Sequence, residues 1–467
     1  LVFNIALELH FIYNEFIASI TLQIFAMKKF FTLIQFLLFP ILFSSAQIVF
    51  NNLEEYTKYA VTHNINIKEA QLNQKLEKQN TNSAIAPLLP TAKASATLSD
   101  NLIINTQLIP AEIFGGPEGT FREVRFGTKY ALTPNADISV NLINAANYQN
   151  LMIAKKNQTL ADWQAKLTTE QIKINLTQAY YLYLLLKKNG DFAISNKANA
   201  DSLYALVDIR YKNQFVDEVD LNRAKSLQIN ANSQLRESLI AISKAMGDLK
   251  LLAGIPMKME VQITEDLSAA NQAELSDINS VSQSRPAVQF KKVQLELSEM
   301  AIKREKLKFV PELTAFANYG YQGFNNDFTF FSANQSWFGS SAIGIKLDVP
   351  IFNGGIRFYN LEKSKLNYQK AKLESKNALE QQIKEDNELM LDQIKMFDEL
   401  RSKSLLLQLA ERNYNLAMIK YKNQAINYDN LIKIQNELTN AQQQQLKSQS
   451  DFFALKTKIE ITNSYSK

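Results

Sequence analysis

The chain has 467 residues, a net charge of +5 from 51 basic and 46 acidic residues, no cysteine and two histidines. Disulfides, thiolate metal sites and a cysteine nucleophile are excluded, and the scarcity of imidazole argues against hydrolytic or metal chemistry. There is no basic block of the kind that tracks nucleic acid, and no nucleophile elbow, Walker loop or dinucleotide fingerprint. No catalytic, cofactor-binding or metal-ligating residue is assigned.

Taken in order, residues 1–26 open on Leu1 and read as upstream translation or a misplaced start. Met27, Lys28 and Lys29, an apolar core from Phe30 to Phe43 and then Ser44-Ser45-Ala46 follow the plan of a signal peptide over 27–46. The apolar core, about 14 residues, is too short to span a bilayer. The mature chain is expected to begin near Gln47.

A helical run from Ile67 to Ile85 is ended by Pro90. Ala92, Ala94, Ala96 and Leu98 then alternate with polar residues, as do Ile138, Val140 and Leu142. Period-two patterning of this kind predicts two strands within about 90–143. Between Pro134 and Pro256 there is no proline, and the glycines are Gly190, Gly247 and Gly254. A helix from about Ala145 to Tyr211 is expected, roughly 65 residues and on the order of 100 Å long, with Asn189-Gly190 as a possible interruption. A turn at about 212–216 and a returning helix complete a first repeat, 47–255. A linker is expected at 256–280.

The same order recurs over 281–467. A helix from Val288 to Leu307 ends at Pro311, and two strands fall within about 311–352, on Leu313, Ala315, Ala317, Tyr319 and Tyr321 and on Ile343, Ile345, Leu347 and Val349. A glycine- and proline-free helix from about Ile356 to Tyr421, a turn at about 422–428 and a last helix follow. Tyr-Lys-Asn-Gln stands at Tyr211–Gln214 and again at Tyr421–Gln424, with Leu221 matching Leu431 and Ala231 matching Ala441. A period of roughly 210 residues is a doubled half-molecule and no solenoid. Heptad spacing in both returning helices implies supercoiled packing in a multi-helix wall.

Aromatics gather around the second strand pair, among them Tyr319, Tyr321, Phe324, Trp337 and Phe338, as a membrane interface favours. Four strands cannot close a barrel, and lipid tolerates no open edge. The expected fold is mostly α with membrane β: a duplicated long-helix periplasmic tunnel plus four strands per chain in a shared, twelve-stranded, trimeric outer-membrane barrel. The rival reading is a secreted coiled-coil structural or adhesive protein, an elongated soluble particle without a pore.

Val349-Pro350-Ile351-Phe352-Asn353-Gly354-Gly355 is similar to a signature of the TolC family of outer-membrane efflux channels at the second strand-to-helix return. Asn141 to Ala146 is a degenerate first copy, and Arg285-Pro286-Ala287-Val288 resembles the segment that opens the second half. The resemblance covers Gln47 to Lys467. It implies a homotrimer in outer-membrane lipid that exports small molecules without catalysis, docking on an inner-membrane pump through a periplasmic adaptor; type I protein secretion uses similar conduits. The family often has glycine after the aromatic of the periplasmic turn. Here Asn213-Gln214 and Asn423-Gln424 stand there, and asparagine is expected to supply the left-handed residue. The helices put Asp217, Glu218, Asp220 and Asp429 at the tip, and by the resemblance Asp429 matches an acidic residue lining the closed aperture. Asp217 and Asp429 read equally as N-caps of the returning helices.

Overall fold

The computed structural model describes residues 47–267 and 282–465. The expected signal peptide, the residues before it and 268–280 of the expected linker lie outside the described residues. The helices are α1 (Leu53–His63), α2 (Ile65–Ser83), α3 (Ala145–Lys212), α4 (Glu218–Ala253), α5 (Pro286–Leu307), α6 (Ile356–Lys422) and α7 (Tyr428–Asn463). No helix of the described residues is long and apolar enough to cross a membrane.

α3 and α6 are unbroken over 68 and 67 residues. Asn189-Gly190 does not interrupt α3. Gly190 is buried against α4, where a Cβ would come within 2.9 Å of Ile242 Cδ1. The close approach of the two helices offsets the roughly 1 kcal/mol that glycine costs inside a helix. Both long helices change partners along their length. In one half the neighbours run α2, α3, α5, α6; in the other they run α4, α3, α7, α6.

The handover occurs at two matched joints. In the first repeat the Asn64 side chain caps α2, accepting from Ile67 N at 3.1 Å, and donates to Leu252 O near the end of α4 at 2.6 Å. Gly254, at φ 70°, closes α4 so tightly that a Cβ would lie 2.5 Å from His63 O. In the second repeat Arg285 occupies the place of Asn64. Its Nη2 lies 3.0 Å from Glu170 Oε1 of α3, and both side chains are 7% exposed. The contact is held by charge more than by hydrogen-bond alignment, and Arg285 Nε and Nη1 have no hydrogen-bond partner. Ser282 Oγ and Gln382 Nε2 donate to the two oxygens of Asp386, at 2.7 and 3.0 Å, pinning the start of α5 to α6.

Beside the first joint, β1 (Ile48–Phe50) pairs in parallel with β6 (Val261–Ile263), so part of the expected linker belongs to the body. Phe50, Tyr56, Leu176, Tyr180, Leu249 and Ile263 are buried together there. The two phenols are satisfied: Tyr56 donates to Leu249 O at 2.9 Å and Tyr180 to Glu265 Oε2 at 2.6 Å.

The strands at the far end are more numerous than the four expected. β2 (Thr91–Asp100), β5 (Tyr130–Ile143), β7 (Glu312–Asn325) and β8 (Trp337–Asp348) form one antiparallel sheet in the order β2-β5-β7-β8. A separate hairpin, β3 (Thr106–Pro110) with β4 (Phe121–Arg125), fills the connection between β2 and β5. Its short strands carry no long alternation, so the sequence showed only the Gly- and Pro-rich turn between them. Strand side chains alternate between faces, and the register aligns Leu98, Leu132, Ala136, Ile138, Ala317, Tyr319, Tyr321, Ile343 and Ile345 on one of them. Lys93, Ser95, Asn135, Asp137, Asn318 and Lys346 share the other. One face is apolar across all four strands.

Candidate functional site

Two features of the duplicated chain stand out as candidates: the strand-to-helix return and the tip where the helices reverse. At the return, Gly354 and Gly355 adopt φ 68° and 79° after Pro350, and Gly355 caps the start of α6. Ile351 and Phe352 are 93% and 84% exposed, and Asn353 is exposed beside them. Of the predicted interface aromatics, Tyr319, Tyr321 and Trp337 lie on the apolar face. Phe324 and Phe338 pack on each other at 6.2 Å on the opposite face, one register step away from where a membrane-facing role requires them.

At the tip both helices end in the same way. Asn213 N and Asn423 N still bond in helical fashion to Ile209 O and Ile419 O, and the residues that turn left-handed are Gln214 (φ 61°) and Gln424 (φ 59°). The expectation for Asn213 and Asn423 is thereby corrected. Each asparagine closes its helix, and the next residue takes the C′ place of a Schellman motif. Phe215 N bonds to Arg210 O at 2.9 Å, and Ala425 N to Lys420 O at 2.8 Å. A left-handed non-glycine residue costs about 1 kcal/mol. We expect Gln214→Gly and Gln424→Gly each to raise stability by up to about 1 kcal/mol in thermal unfolding.

The Asp217 side chain accepts from Asp220 N at 2.9 Å and caps α4. Asp429 does not cap α7. Asn427 does, accepting from Asn430 N at 3.0 Å, and Asn427 is the residue that the repeat aligns with Asp217. Asp429 instead meets Arg223 Nη1 at 2.6 Å, and the same nitrogen lies 3.8 Å from Asp220 Oδ1. Partial burial pushes the Asp220 carboxyl up from its usual range; the Asp217 charge adds to this, Arg223 opposes it, and Asp429 adds again. Glu218 is exposed on the first turn of α4.

A second arginine ties the two hairpins together. Arg210 Nη2 donates to the carbonyls of Tyr421 and Lys422 at 3.1 and 3.0 Å, and its guanidinium lies 4.7 Å from the Tyr421 ring centre. A cation on the last carbonyls of α6 also meets the negative end of the helix dipole. The repeated tyrosines differ in consequence: Tyr421 is 2% exposed, Tyr211 38%. Leu203, Val207, Ala224, Ala417, Tyr428 and Leu431 complete a core built from all four helices. Arg210 and Arg223 were not among the residues singled out from sequence. Their partners lie some 200 positions away along the chain, which no local spacing reveals.

No group of metal-binding side chains occurs among the described residues. No family model matches the sequence, and no curated protein matches it. Solved structures do. The chain superposes on the outer membrane protein VceC of Vibrio cholerae with a TM-score of 0.70 and 17% identity, covering 88% of this chain and 95% of that one. It superposes on CusC, described in terms of folding and transmembrane channel formation, with a TM-score of 0.70 and 15% identity over 87% and 91%. The open state of the MtrE outer membrane channel of Neisseria gonorrhoeae gives 0.68 and 15% over 89% and 88%. The chain has the fold of these TolC-like channels. At this level of identity the likeness is one of fold, and it extends over most of the chain.

Proposed function

We propose that the chain is one protomer of a homotrimeric outer-membrane channel, a passive conduit with no catalytic activity that carries small molecules from an inner-membrane pump, through a periplasmic adaptor, to the cell exterior. The observation that carries this reading is the sheet. It has one continuous apolar face, two free edges at β2 and β8, and helices of about 100 Å running from it. Free edges cannot persist in lipid, so further copies must close it, and three copies give twelve strands. In this reading Tyr319, Tyr321 and Trp337 lie on the lipid-facing side and the polar face lines the pore.

The tip then lies at the periplasmic end and acts as the aperture. Arg210 and Arg223 hold the two hairpins of a protomer together and keep the aperture narrow. The carboxylate of Asp429 is already matched by Arg223, so a bare ring of aspartates is replaced by a ring of ion pairs.

The test is reconstitution. The protein extracted from outer membranes in detergent should run as a trimer and give discrete conductance steps in planar bilayers. A monodisperse, water-soluble particle that leaves bilayers silent would overturn the reading in favour of a secreted coiled coil.

A further inference from the structure

The helical wall has two unlike sides. Against one side of α3 and α7 lie α1 and the β1–β6 pair: Tyr180 of α3 donates to Glu265 Oε2 at 2.6 Å, and Gln449 of α7 donates to Leu267 O at 2.6 Å. On the other side of the same two helices a groove is lined by Leu182, Asn189, Lys447 and Asp451. In a closed ring, three copies of the added layer would fill the bore if they lay inside. The layer therefore marks the outer side and the groove the inner one.

Helical periodicity carries this distinction upward to the sheet. On α3, Lys155 and Lys166 fall within about 40° of Tyr180 at about 100° per residue. Asn157 and Gln164 fall on the inner half, where they share a second groove with Asn66, Asn73 and Asn80 of α2 and Phe290 of α5. Lys68 and Lys75 stand opposite those asparagines on α2, and Lys292 and Lys303 stand opposite Phe290 on α5, with Lys306 beside them. On α6, Met396 belongs to the inner side, and Lys365, Lys372 and Lys376 occupy the outer half. All ten of these lysines are exposed. The inner groove at this level carries amides and the carboxylates of Glu69 and Glu77; the outer side carries lysines.

Resting on the channel reading, we propose that this outer lysine belt binds the carboxylates of peptidoglycan, the anionic polymer that a tube descending from the outer membrane must cross.

Three observations select that ligand. The first is unspent charge. Lys365 is paired with Glu362, and the other nine make no ion pair among the described residues. The ten outnumber Asp162, Glu299 and Glu362, the acids set among them, whereas an ordinary solvated surface intersperses both signs. The second is extent. The belt begins at Lys306, beside the end of α5, and runs about 30 Å down the wall. A phospholipid headgroup layer is only about 5 to 8 Å deep, so most of the belt lies beyond its reach. The third is residue type. Every member is lysine, a flexible point charge suited to scattered carboxylates, where bidentate recognition of phosphate favours arginine. Arg304, between Lys303 and Lys306, turns instead to Glu305.

The test is co-sedimentation of the full-length trimer, in detergent, with purified peptidoglycan sacculi. Wild type should pellet with the sacculi at about 0.05 M salt and be released at about 1 M, where the Debye length is about 3 Å. Lys155→Glu combined with Lys303→Glu and Lys372→Glu should weaken sedimentation by about tenfold or more, since many weak contacts act together. The same three positions changed to arginine should retain it. Both variants alter exposed side chains and should form trimers that conduct as wild type does. Undiminished sedimentation of the glutamate variant would overturn the belt. So would a wild type that conducts but stays in the supernatant, and that result leaves the channel standing. A monomer silent in bilayers would overturn both readings. Capture by phosphatidylglycerol vesicles with none by sacculi would overturn the polymer in favour of lipid headgroups.

Discussion

Replacing Arg210 by alanine should raise the open probability of the reconstituted channel by at least about tenfold, and replacing Asp429 by asparagine should change it far less. The two links differ in kind. Arg210 makes two charge-assisted hydrogen bonds to backbone carbonyls and covers the buried ring of Tyr421. Bonds of that class contribute about 1.5 to 3 kcal/mol, and 1.4 kcal/mol is a factor of about ten. The Arg223–Asp429 pair is at the surface, with side chains 51% and 68% exposed, and such pairs contribute about 0.2 to 1 kcal/mol. Spreading α6 and α7 away from α3 and α4 breaks both, so the effects should rank Arg210→Ala well above Arg223→Ala and Asp429→Asn. Asp217→Asn should leave stability unchanged, because asparagine caps a helix as well as aspartate does. Single-channel recording of the four variants decides it: unaltered gating in Arg210→Ala removes the latch.

The largest loss of stability should come from the joint of the second repeat. Arg285→Ala leaves the Glu170 carboxylate buried without its cation and should destabilise the protein by about 3 to 5 kcal/mol. Replacing both members at once, Glu170→Leu with Arg285→Met, should come close to neutral, since apolar pairs of similar volume often match a buried ion pair.

The pH dependence has a definite sign. Burial pushes the Glu170 carboxyl upward from its ordinary value of 4.5; Arg285 opposes this, Glu385 and Asp386 add to it, and Lys458 opposes it again. The folded chain thus holds that proton more tightly than the unfolded chain does. Its contribution to stability is complete below the ordinary carboxylate value and is lost as pH rises through the folded one. Melting temperatures of wild type and Glu170→Gln, compared from mildly acid to neutral pH, should show wild type losing ground relative to the variant as pH rises. A constant difference across that range would remove Glu170 as the titrating group.

The same residues show how far the sequence could be read. The long helices were legible because the absence of proline and glycine is a local property, and α3 and α6 start and stop within a residue or two of where it places them. The sheet was legible where alternation runs long, as in β7 and β8, and illegible in β3 and β4. Asn427 was within reach, since it is the aligned partner of Asp217, but Asp429 drew attention as the only acid near that turn. The left-handed glutamines defeat residue preference: helix-end hydrogen bonding fixes the position, and Asn213 is used one place earlier. Arg210 and Arg285 belong to tertiary structure, where a cation acquires meaning from carbonyls or a carboxylate far along the chain.

The pairing of β5 with β7, from Tyr130 with Asn325 to Ile143 with Leu313, imposes an order on folding. The outer strand pairs, β2 with β5 across the short β3–β4 hairpin and β7 with β8, and both helical hairpins join segments close in sequence and can form as soon as they are synthesised. The central seam closes a loop that contains the whole of α3, α4 and α5, and contacts so distant in sequence form late. A chain arrested after its first repeat holds a finished hairpin of helices and a strand, β5, whose inner edge has nothing to pair with. Duplication thus made two similar halves joined at a seam that neither can form alone, and the four-stranded apolar sheet is complete only when strands of both are present.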